Sequence, residues 1–202
     1  MRKLTFDFYD RNDVVQIAKE LIGKILVTRL DGKLTSGRIV ETEAYVAITD
    51  KASHSFGGRR TRRNEHMYAA ASTSYVYICY GMHHLFNVVT NKKEVPDAVL
   101  IRAAEPIEGI DVMLQRTGKI THTNTLTKGP GNVSKAFGIN KNHSGLNLTG
   151  DSIYITDDGW LATHEDEVVA SKRIGIDGAG ADALLPYRFY LKGNKYVSGQ
   201  PR

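Results

Sequence analysis

The sequence predicts an α+β fold, a single mixed domain over residues 1–202 with a curved, mainly antiparallel sheet, surrounding helices and a protruding β-hairpin. The chain has 202 residues, of which 41% are hydrophobic and 24% charged, proportions that suit one soluble globular core. Short segments rich in aromatic and β-branched residues alternate with tight-turn signals, which favours antiparallel neighbours. Helical periodicity is confined to a few short segments, and the chain shows no internal repeat.

The N-terminal part predicts a helix that leads into a hairpin. Apolar residues recur at helical spacing over residues 12–22, with Asp10 or Asn12 as the N-cap. Lys24–Leu30 predicts a strand, and the dipeptide Asp31-Gly32 is a two-residue turn signal before a second strand that ends near Tyr45.

The rest of the chain predicts six further strands and two helices around a long loop. Residues 46–72 are irregular and polar, and a loop of this length in a compact domain usually has a function. The predicted strands are Thr73–Tyr80, His84–Thr90, Val99–Ala104, Ser152–Thr156, Val168–Ile176 and Tyr187–Leu191. The predicted helices run from Pro106, in the first turn, to about Thr117 and, in a shorter piece, over Val133–Ile139.

Composition limits the classes of function. The net charge of +5 favours a polyanionic partner such as nucleic acid, although many basic proteins bind none. Cys79 is the one cysteine, which excludes a disulfide framework and a four-cysteine zinc site and predicts a small buried hydrophobe at that position. The seven histidines form no metal-ligand pattern, so no metal is expected. The absence of an apolar leader or spanning segment predicts a cytoplasmic protein that does not enter a membrane.

Two carboxylates in the strand RIVETEAY are candidates for acid–base chemistry. Side chains alternate between faces along a strand, so Ile39, Glu41 and Glu43 are predicted to share one face. A buried glutamate would need a neighbouring cation to stay ionised, whereas a solvated strand face would need none. Alternate residues stand roughly 6.6 Å apart, which also suits the acid–base pair of an inverting carbohydrate hydrolase.

Two further segments favour nucleic acid as the partner. The run RRTRR holds four arginines, Arg59, Arg60, Arg62 and Arg63, directly after two glycines, which is typical of a loop that follows phosphates or of a solvated surface loop. The segment TSYVYICYG predicts a hairpin strand with Tyr80 beside the turn, where an exposed ring would favour a binding partner.

The segments RIVETEAY, SHSFGGRRTRRN, YVYICYGMHHLFN, VLIRAAEP and LTKGPGNVSKAFGIN, in this order and spacing, resemble the alkyladenine (3-methylpurine) DNA glycosylases. The resemblance extends from about Asp13 to Ser198. It implies a monofunctional, cofactor-free hydrolase without lyase activity that flips damaged purines out of duplex DNA and cleaves the N-glycosidic bond. Such an enzyme would leave an abasic site for base excision repair, act as a monomer and associate with the nucleoid if the source is prokaryotic.

The resemblance also implies roles for individual residues. Glu43 matches the base that activates water, Arg102 the arginine that holds the water, and Ile174 the residue whose carbonyl is the third partner of the water. Tyr45, His54 and Tyr77 match the walls of the base pocket. Asn87 matches the amide that discriminates against undamaged guanine, and Tyr80 matches the ring that is inserted into the DNA. The implied DNA contacts are Met82, Arg59, Arg60, Arg62 and Arg63.

Other functions stay open at the level of the sequence. The carbohydrate hydrolase would use both Glu41 and Glu43, and a non-catalytic nucleic-acid-binding module would use the arginine run alone. The preference among 3-methyladenine, 7-methylguanine, hypoxanthine and ethenoadenine and the role of Glu41 are not fixed by these motifs.

Overall fold

The computed structural model describes residues 1–199, apart from the side chains of Ala162 and Thr163, so the predicted domain of residues 1–202 includes three residues outside this range. Within the described range nine strands form one sheet in which every pairing is antiparallel. The strands are Arg2–Lys3 (β1), Ile25–Leu30 (β2), Lys33–Tyr45 (β3), Ser74–Cys79 (β4), His83–Thr90 (β5), Asp97–Glu108 (β6), Ile153–Asp157 (β7), Val168–Ser171 (β8) and Arg188–Leu191 (β9).

Four α-helices pack around this sheet, which confirms the predicted α+β class. They are Phe6–Tyr9 (α1), Val14–Leu21 (α2), Ile110–Thr117 (α3) and Pro130–Phe137 (α4). Short 3₁₀ segments cover Phe56–Gly58, Glu65–Tyr68, Asn124–Leu126, Lys141–His143, Trp160–Thr163, Glu165–Glu167 and Asp177–Leu184.

The long strand β3 organises the sheet. The sheet order is β1-β7-β2-β3-β6-β5-β4, and β9 pairs with β3 over Glu41–Glu43, past the end of β2. One edge of β3 pairs with β2 and then with β9, and the other pairs with β6 from Ser36 to Tyr45, so the stretch that carries the two glutamates lies between β6 and β9. Register irregularities beside Glu41 interrupt the simple alternation that was predicted from Ile39 onward.

Two predicted turns are confirmed. Leu30 pairs with Lys33, and Asp31 and Gly32 both have positive φ, 55° and 69°, as a two-residue hairpin turn requires. The second hairpin pairs β4 with β5, so its turn spans residues 80–82, within one residue of the predicted position.

Several predicted boundaries were wrong. α2 begins at Val14 because the side chain of Asp13, rather than Asp10 or Asn12, accepts a hydrogen bond from the amide of Gln16 at 2.8 Å. Pro106 does not begin a helix: it lies within β6, paired with Gly37 next to a register irregularity, where a strand tolerates a proline.

The helix that was predicted to begin at Pro106 begins further along the chain for a local reason. Gly109 adopts a left-handed conformation with φ of 73° and precedes α3.

β8 ends at Ser171 rather than Ile176, so the segment that follows it is irregular and reaches Glu43 of β3.

The main hydrophobic core lies between the sheet and helices α2 and α4. Ile17, Ala136 and Phe137 are fully buried there, and the hydroxyl of Thr42 donates to the carbonyl of Ala18 at 2.8 Å. This contact ties one face of β3 to α2 beside the positions of Glu41 and Glu43. No helix in residues 1–199 is both long and apolar enough to cross a membrane.

The two glycines that flank α3 give a matched test of backbone packing. Both have positive φ, 73° at Gly109 and 74° at Gly118, but a Cβ at Gly109 would overlap the carbonyl oxygen of Leu34, whereas one at Gly118 would meet nothing within 4 Å. We expect Gly118→Ala to lower the free energy of unfolding by about 1 kcal/mol. Gly109→Ala should lower it by about 1–3 kcal/mol more than Gly118→Ala does. Urea unfolding of both variants measures the difference; equal losses would contradict the packing described for Gly109.

Candidate active site

The carboxylate of Glu43 is sealed inside the sheet and held by three donors. The Tyr45 hydroxyl donates to Oε2 at 2.9 Å, Arg102 Nη1 donates to the same oxygen at 3.2 Å, and the amide of Ile174 donates to Oε1 at 2.8 Å. Glu43 is fully buried. The three predicted catalytic residues therefore lie together, and Ile174 contacts the Glu43 carboxylate through its N–H group. That the Ile174 carbonyl binds the attacking water stays a prediction.

The environment of Glu43 sets its basicity. Burial raises the pKa of Glu43, while Arg102 and the hydrogen bonds from Ile174 and Tyr45 oppose the rise. A carboxylate with a raised pKa that is still held beside a guanidinium is suited to accept a proton from water.

Glu41 is bound in a different way from Glu43. Its Oε1 accepts from Arg188 Nε at 2.7 Å and from Arg102 Nε at 3.0 Å, and Ser198 donates to both of its oxygens. Glu41 is also fully buried, so the solvated strand face considered for these glutamates is wrong. Arg102 lies between the two carboxylates and bonds to each.

A cavity of about 550 Å³ lies next to the Glu43 site, and Glu43 itself is buried behind its lining. Tyr45, Arg102 and Ile174, the three donors to Glu43, all line it. The other lining residues are Ala52, His54, Arg63, Met67, Tyr75, Tyr77, Cys79, Tyr80, His83, Leu85, Asn87, Ala98, Leu100, Gly129, Pro130, Gly131, Asn132, Gly175 and Ile176. The volume and the aromatic lining suit a planar heterocycle.

One wall of the cavity is a pair of rings. His54 and Tyr77 stand 4.5 Å apart between ring centroids, and Nδ1 of His54 is 2.8 Å from the hydroxyl of Tyr75. Burial, with the nearby charges of Arg63 and Arg59, lowers the pKa of His54 to about 4. His54 is therefore neutral at neutral pH and presents an uncharged ring.

Tyr45 is backed by a buried ion pair that the sequence did not reveal. The Arg173 guanidinium lies 4.9 Å over the Tyr45 ring and pairs with Asp50, with Nη2 to Oδ1 at 2.8 Å. Arg173 Nη1 also donates to the carbonyl of Ala44 at 2.9 Å. These contacts fix both the ring and the strand end that carries it.

Asn87 lines the cavity from β5. Its Nδ2 donates to the carbonyls of Tyr75 and Leu85 at 3.1 and 3.2 Å, and the side chain is nearly fully buried. The two bonds fix the orientation of the amide group. An amide held in this way can discriminate between purine edges, as the resemblance implies.

The tip of the β4–β5 hairpin exposes apolar side chains. Tyr80 is 87% exposed with φ of 50°, and Met82 is 71% exposed. Cys79, expected to be buried, is only partly buried and lines the cavity, because it lies at the exposed end of β4. The tip thus combines an accessible ring with a position at the rim of the cavity.

The arginine run lies on the surface beside the cavity, and its members differ. Arg60 pairs with Glu65 and Glu94, both at 2.6 Å, whereas Arg63 lines the cavity and lies 5.2 Å over the Tyr77 ring. Arg59 and Arg62 are exposed. Within residues 1–199 no three His, Cys, Asp or Glu side chains are grouped as a metal site would require.

Sequence patterns missed several residues of this site. Ser198, Arg188 and Arg173 come from the C-terminal third of the chain and contact residues near position 40. The segment Gly129–Asn132 at the start of α4 also lines the cavity. Arg173 and Arg188 are charged residues within segments predicted as strands, and this placement was the signal that could have identified them. The sequence around Ser198 gives no such signal.

Comparisons with known proteins extend over nearly the whole chain. The family model described as methylpurine-DNA glycosylase matches residues 7–195. A protein of Desulfitobacterium hafniense strain Y51 is 44% identical over 98% of this chain and 99% of its own length. A protein of Clostridium novyi strain NT is 47% identical over 98% of this chain and 99% of its own length. A protein of Chlamydia felis strain Fe/C-56 is 45% identical over 91% of this chain and 93% of its own length. All three are provisionally named 3-methyladenine DNA glycosylases.

The burial of His54 predicts a pH-dependent stability. Because its pKa falls from the ordinary 6.5 to about 4 on folding, the unfolded chain takes up this proton first as the pH is lowered. The contribution of His54 to the free energy of unfolding should therefore be complete above about pH 6.5. Between pH 6.5 and pH 4 the free energy of unfolding should decrease by up to about 3 kcal/mol.

Urea unfolding between pH 7 and pH 4 measures this effect. His54→Gln should remove that part of the pH dependence, whereas Tyr75→Phe, which removes the hydrogen bond but keeps the imidazole, should retain most of it. Identical pH dependence in His54→Gln and the unaltered protein would contradict the burial assigned to His54.

Proposed function

Because the chain belongs to the methylpurine-DNA glycosylase family, we propose that it is a monofunctional DNA glycosylase that excises alkylated or deaminated purines from duplex DNA. The observation that carries the proposal is the buried Glu43 carboxylate beneath an aromatic cavity whose rim bears the exposed ring of Tyr80. The product would be an abasic site, the start of base excision repair.

The reaction follows from the position of Glu43. Water attacks C1′ of the damaged nucleotide, the N-glycosidic bond breaks with its electrons going to the base, and Glu43 takes a proton from the water. The carboxylate also stabilises the positive charge that develops on the sugar. A cationic alkylated purine leaves as a neutral molecule, whereas a neutral purine such as hypoxanthine needs an added proton.

The cavity supports binding of an extruded base. A purine within the DNA stack is out of reach of Glu43, so the nucleotide must rotate into the cavity, at a cost that is smallest for damaged or mispaired bases. We infer that Tyr45 covers one face of the base and that His54 and Tyr77 cover the other. Stacking of this kind contributes about 1–3 kcal/mol per base and favours an electron-poor, cationic purine.

The exposed residues around the cavity support the DNA interface. Tyr80 at the hairpin tip would fill the gap that the extruded nucleotide leaves, with Met82 beside it in the minor groove. Arg59, Arg62 and Arg63 would contact phosphates. Arg60 is expected to contribute less, because Glu65 and Glu94 already pair with it.

The alternative functions have weaker support. A carbohydrate hydrolase would use Glu41 and Glu43 as an acid–base pair at one site. All three donors to Glu43 line the cavity, whereas of the donors to Glu41, which are Arg102, Arg188 and Ser198, only Arg102 does. A lyase would need an amine at the site, and none of the described lysines lines the cavity.

Replacement of Glu43 tests the proposed chemistry. Glu43→Gln keeps the shape of the side chain but removes the base, so excision from methylated duplex DNA should fall at least about 100-fold. Release of free bases, identified by mass spectrometry, measures the loss. Binding to a duplex with an abasic site should remain within about threefold of the unaltered protein. Glu108→Gln, at the exposed end of β6, is the matched control and should excise normally. Unchanged excision by Glu43→Gln would overturn the assignment of the base.

Replacement of Tyr80 tests base extrusion separately from chemistry. Tyr80→Ala should slow excision from duplex DNA by about tenfold or more, because the ring no longer replaces the lost stacking. Single-stranded DNA needs no such replacement, so excision from it should change much less. Tyr80→Phe, which keeps the ring, should resemble the unaltered protein on both substrates. An equal loss on both substrates for Tyr80→Ala would show that the ring does not act in extrusion.

A further inference from the structure

Residues 196–199 lie against the charged side chains behind Glu43. The amide of Ser198 donates to Glu41 Oε2 at 2.7 Å, and its hydroxyl donates to Glu41 Oε1 at 2.9 Å. The same hydroxyl oxygen accepts from Arg102 Nη2 at 3.2 Å. Tyr196 and Val197, which precede it, are almost fully buried and anchor the segment in the core.

Ser198 and Glu41 together hold the guanidinium of Arg102 on two sides. Arg102 Nε donates to Glu41 at 3.0 Å and Nη2 to Ser198, which leaves Nη1 directed at Glu43 at 3.2 Å. A guanidinium is planar, so bonds at Nε and Nη2 fix the position of Nη1 as well. The contact between Arg102 and Glu43 therefore depends on two residues that do not line the cavity.

The same segment also contacts the second donor to Glu43. Gly199 has φ of 60°, and a Cβ placed there would stand 2.5 Å from Cδ1 of Ile174. The backbone of residue 199 therefore packs closely on Ile174, whose amide donates to Glu43 Oε1. Two of the three donors to the Glu43 carboxylate are thus supported by residues 198 and 199.

We propose that Ser198 and Glu41 are positioning residues that hold the Arg102 guanidinium in the orientation required to keep Glu43 competent as a base. This proposal rests on the proposed function, in which Glu43 activates water. Ser198 acts through Arg102 and through Glu41, and neither Ser198 nor Glu41 touches the substrate. Glu41 is needed for the orientation of Arg102, although its negative charge disfavours ionisation of Glu43.

The charges around Glu43 predict different effects for the two residues. Arg102 favours the ionised form of Glu43, and Glu41 disfavours it. The other charged or titratable side chains that face Glu43 are Arg173, Arg188, Tyr45 and Tyr77. Loosening Arg102 should raise the pH at which Glu43 loses activity. Neutralising Glu41 also loosens Arg102, but the loss of its negative charge opposes that rise.

Single-turnover excision from a methylated duplex, measured between pH 4.5 and pH 8, tests the proposal. Ser198→Ala should lower the rate at pH 7 by about tenfold and move the acid limb of the profile to higher pH. Glu41→Gln should also lower the rate at pH 7, and its acid limb should lie at lower pH than that of Ser198→Ala, because this variant also removes the negative charge beside Glu43. Binding to an abasic duplex should stay within about twofold for both variants. Ser171→Ala is the matched control, because its hydroxyl accepts from Arg188 at 3.1 Å without contacting Arg102 or Glu41.

The outcomes separate this proposal from the proposed function. An acid limb unchanged in Ser198→Ala, or a rate at pH 7 unchanged in either variant, would overturn the positioning role. If Glu41→Gln does not fold, the rate and acid limb of Ser198→Ala decide alone. Full activity of Glu43→Gln, or no base release by the unaltered protein, would instead overturn the proposed function.

Discussion

Two glutamates and two arginines are buried together at the centre of the sheet, and much of the architecture follows from satisfying their charges and hydrogen bonds. Glu41 and Glu43 are both fully buried, with Arg102 bonded to each and Arg188 bonded to Glu41. A carboxylate taken out of water is costly unless cations and hydrogen bonds replace the lost solvation. Removal of one member of such a group leaves an uncompensated buried charge, a loss of about 3–5 kcal/mol in comparable cases.

The sheet topology is what makes this grouping possible. β3 carries both carboxylates, β6 delivers Arg102 on one side, and β9 delivers Arg188 on the other. β2 ends before it reaches this stretch, which leaves the edge of β3 open to β9. The irregular segment after β8 then supplies the amide of Ile174, so the donors to one carboxylate come from three separate regions of the chain.

Much of the fold could be predicted because its signals are local. The turn at Asp31-Gly32 needs only two residues that tolerate positive φ, and the hairpin that exposes Tyr80 is marked by aromatic strands around a glycine. Prediction failed where a tertiary contact outweighed the local preference. Pro106 favours a helix start by itself, but its pairing with Gly37 extends β6, and the left-handed Gly109 delays the helix.

The sequence by itself determined the family, the α+β class and the identities of some of the residues that line the cavity, among them Tyr45, His54 and Arg102. Those properties depend on long ordered motifs and on the periodicity of short segments. Only the tertiary structure decided that Glu41 and Glu43 have different environments, although both stand on the same strand two positions apart. One is enclosed by Arg102, Arg188 and Ser198, and the other lies beneath the cavity. Burial and hydrogen-bond partners come from residues more than fifty positions away, and a local pattern does not encode such long-range contacts.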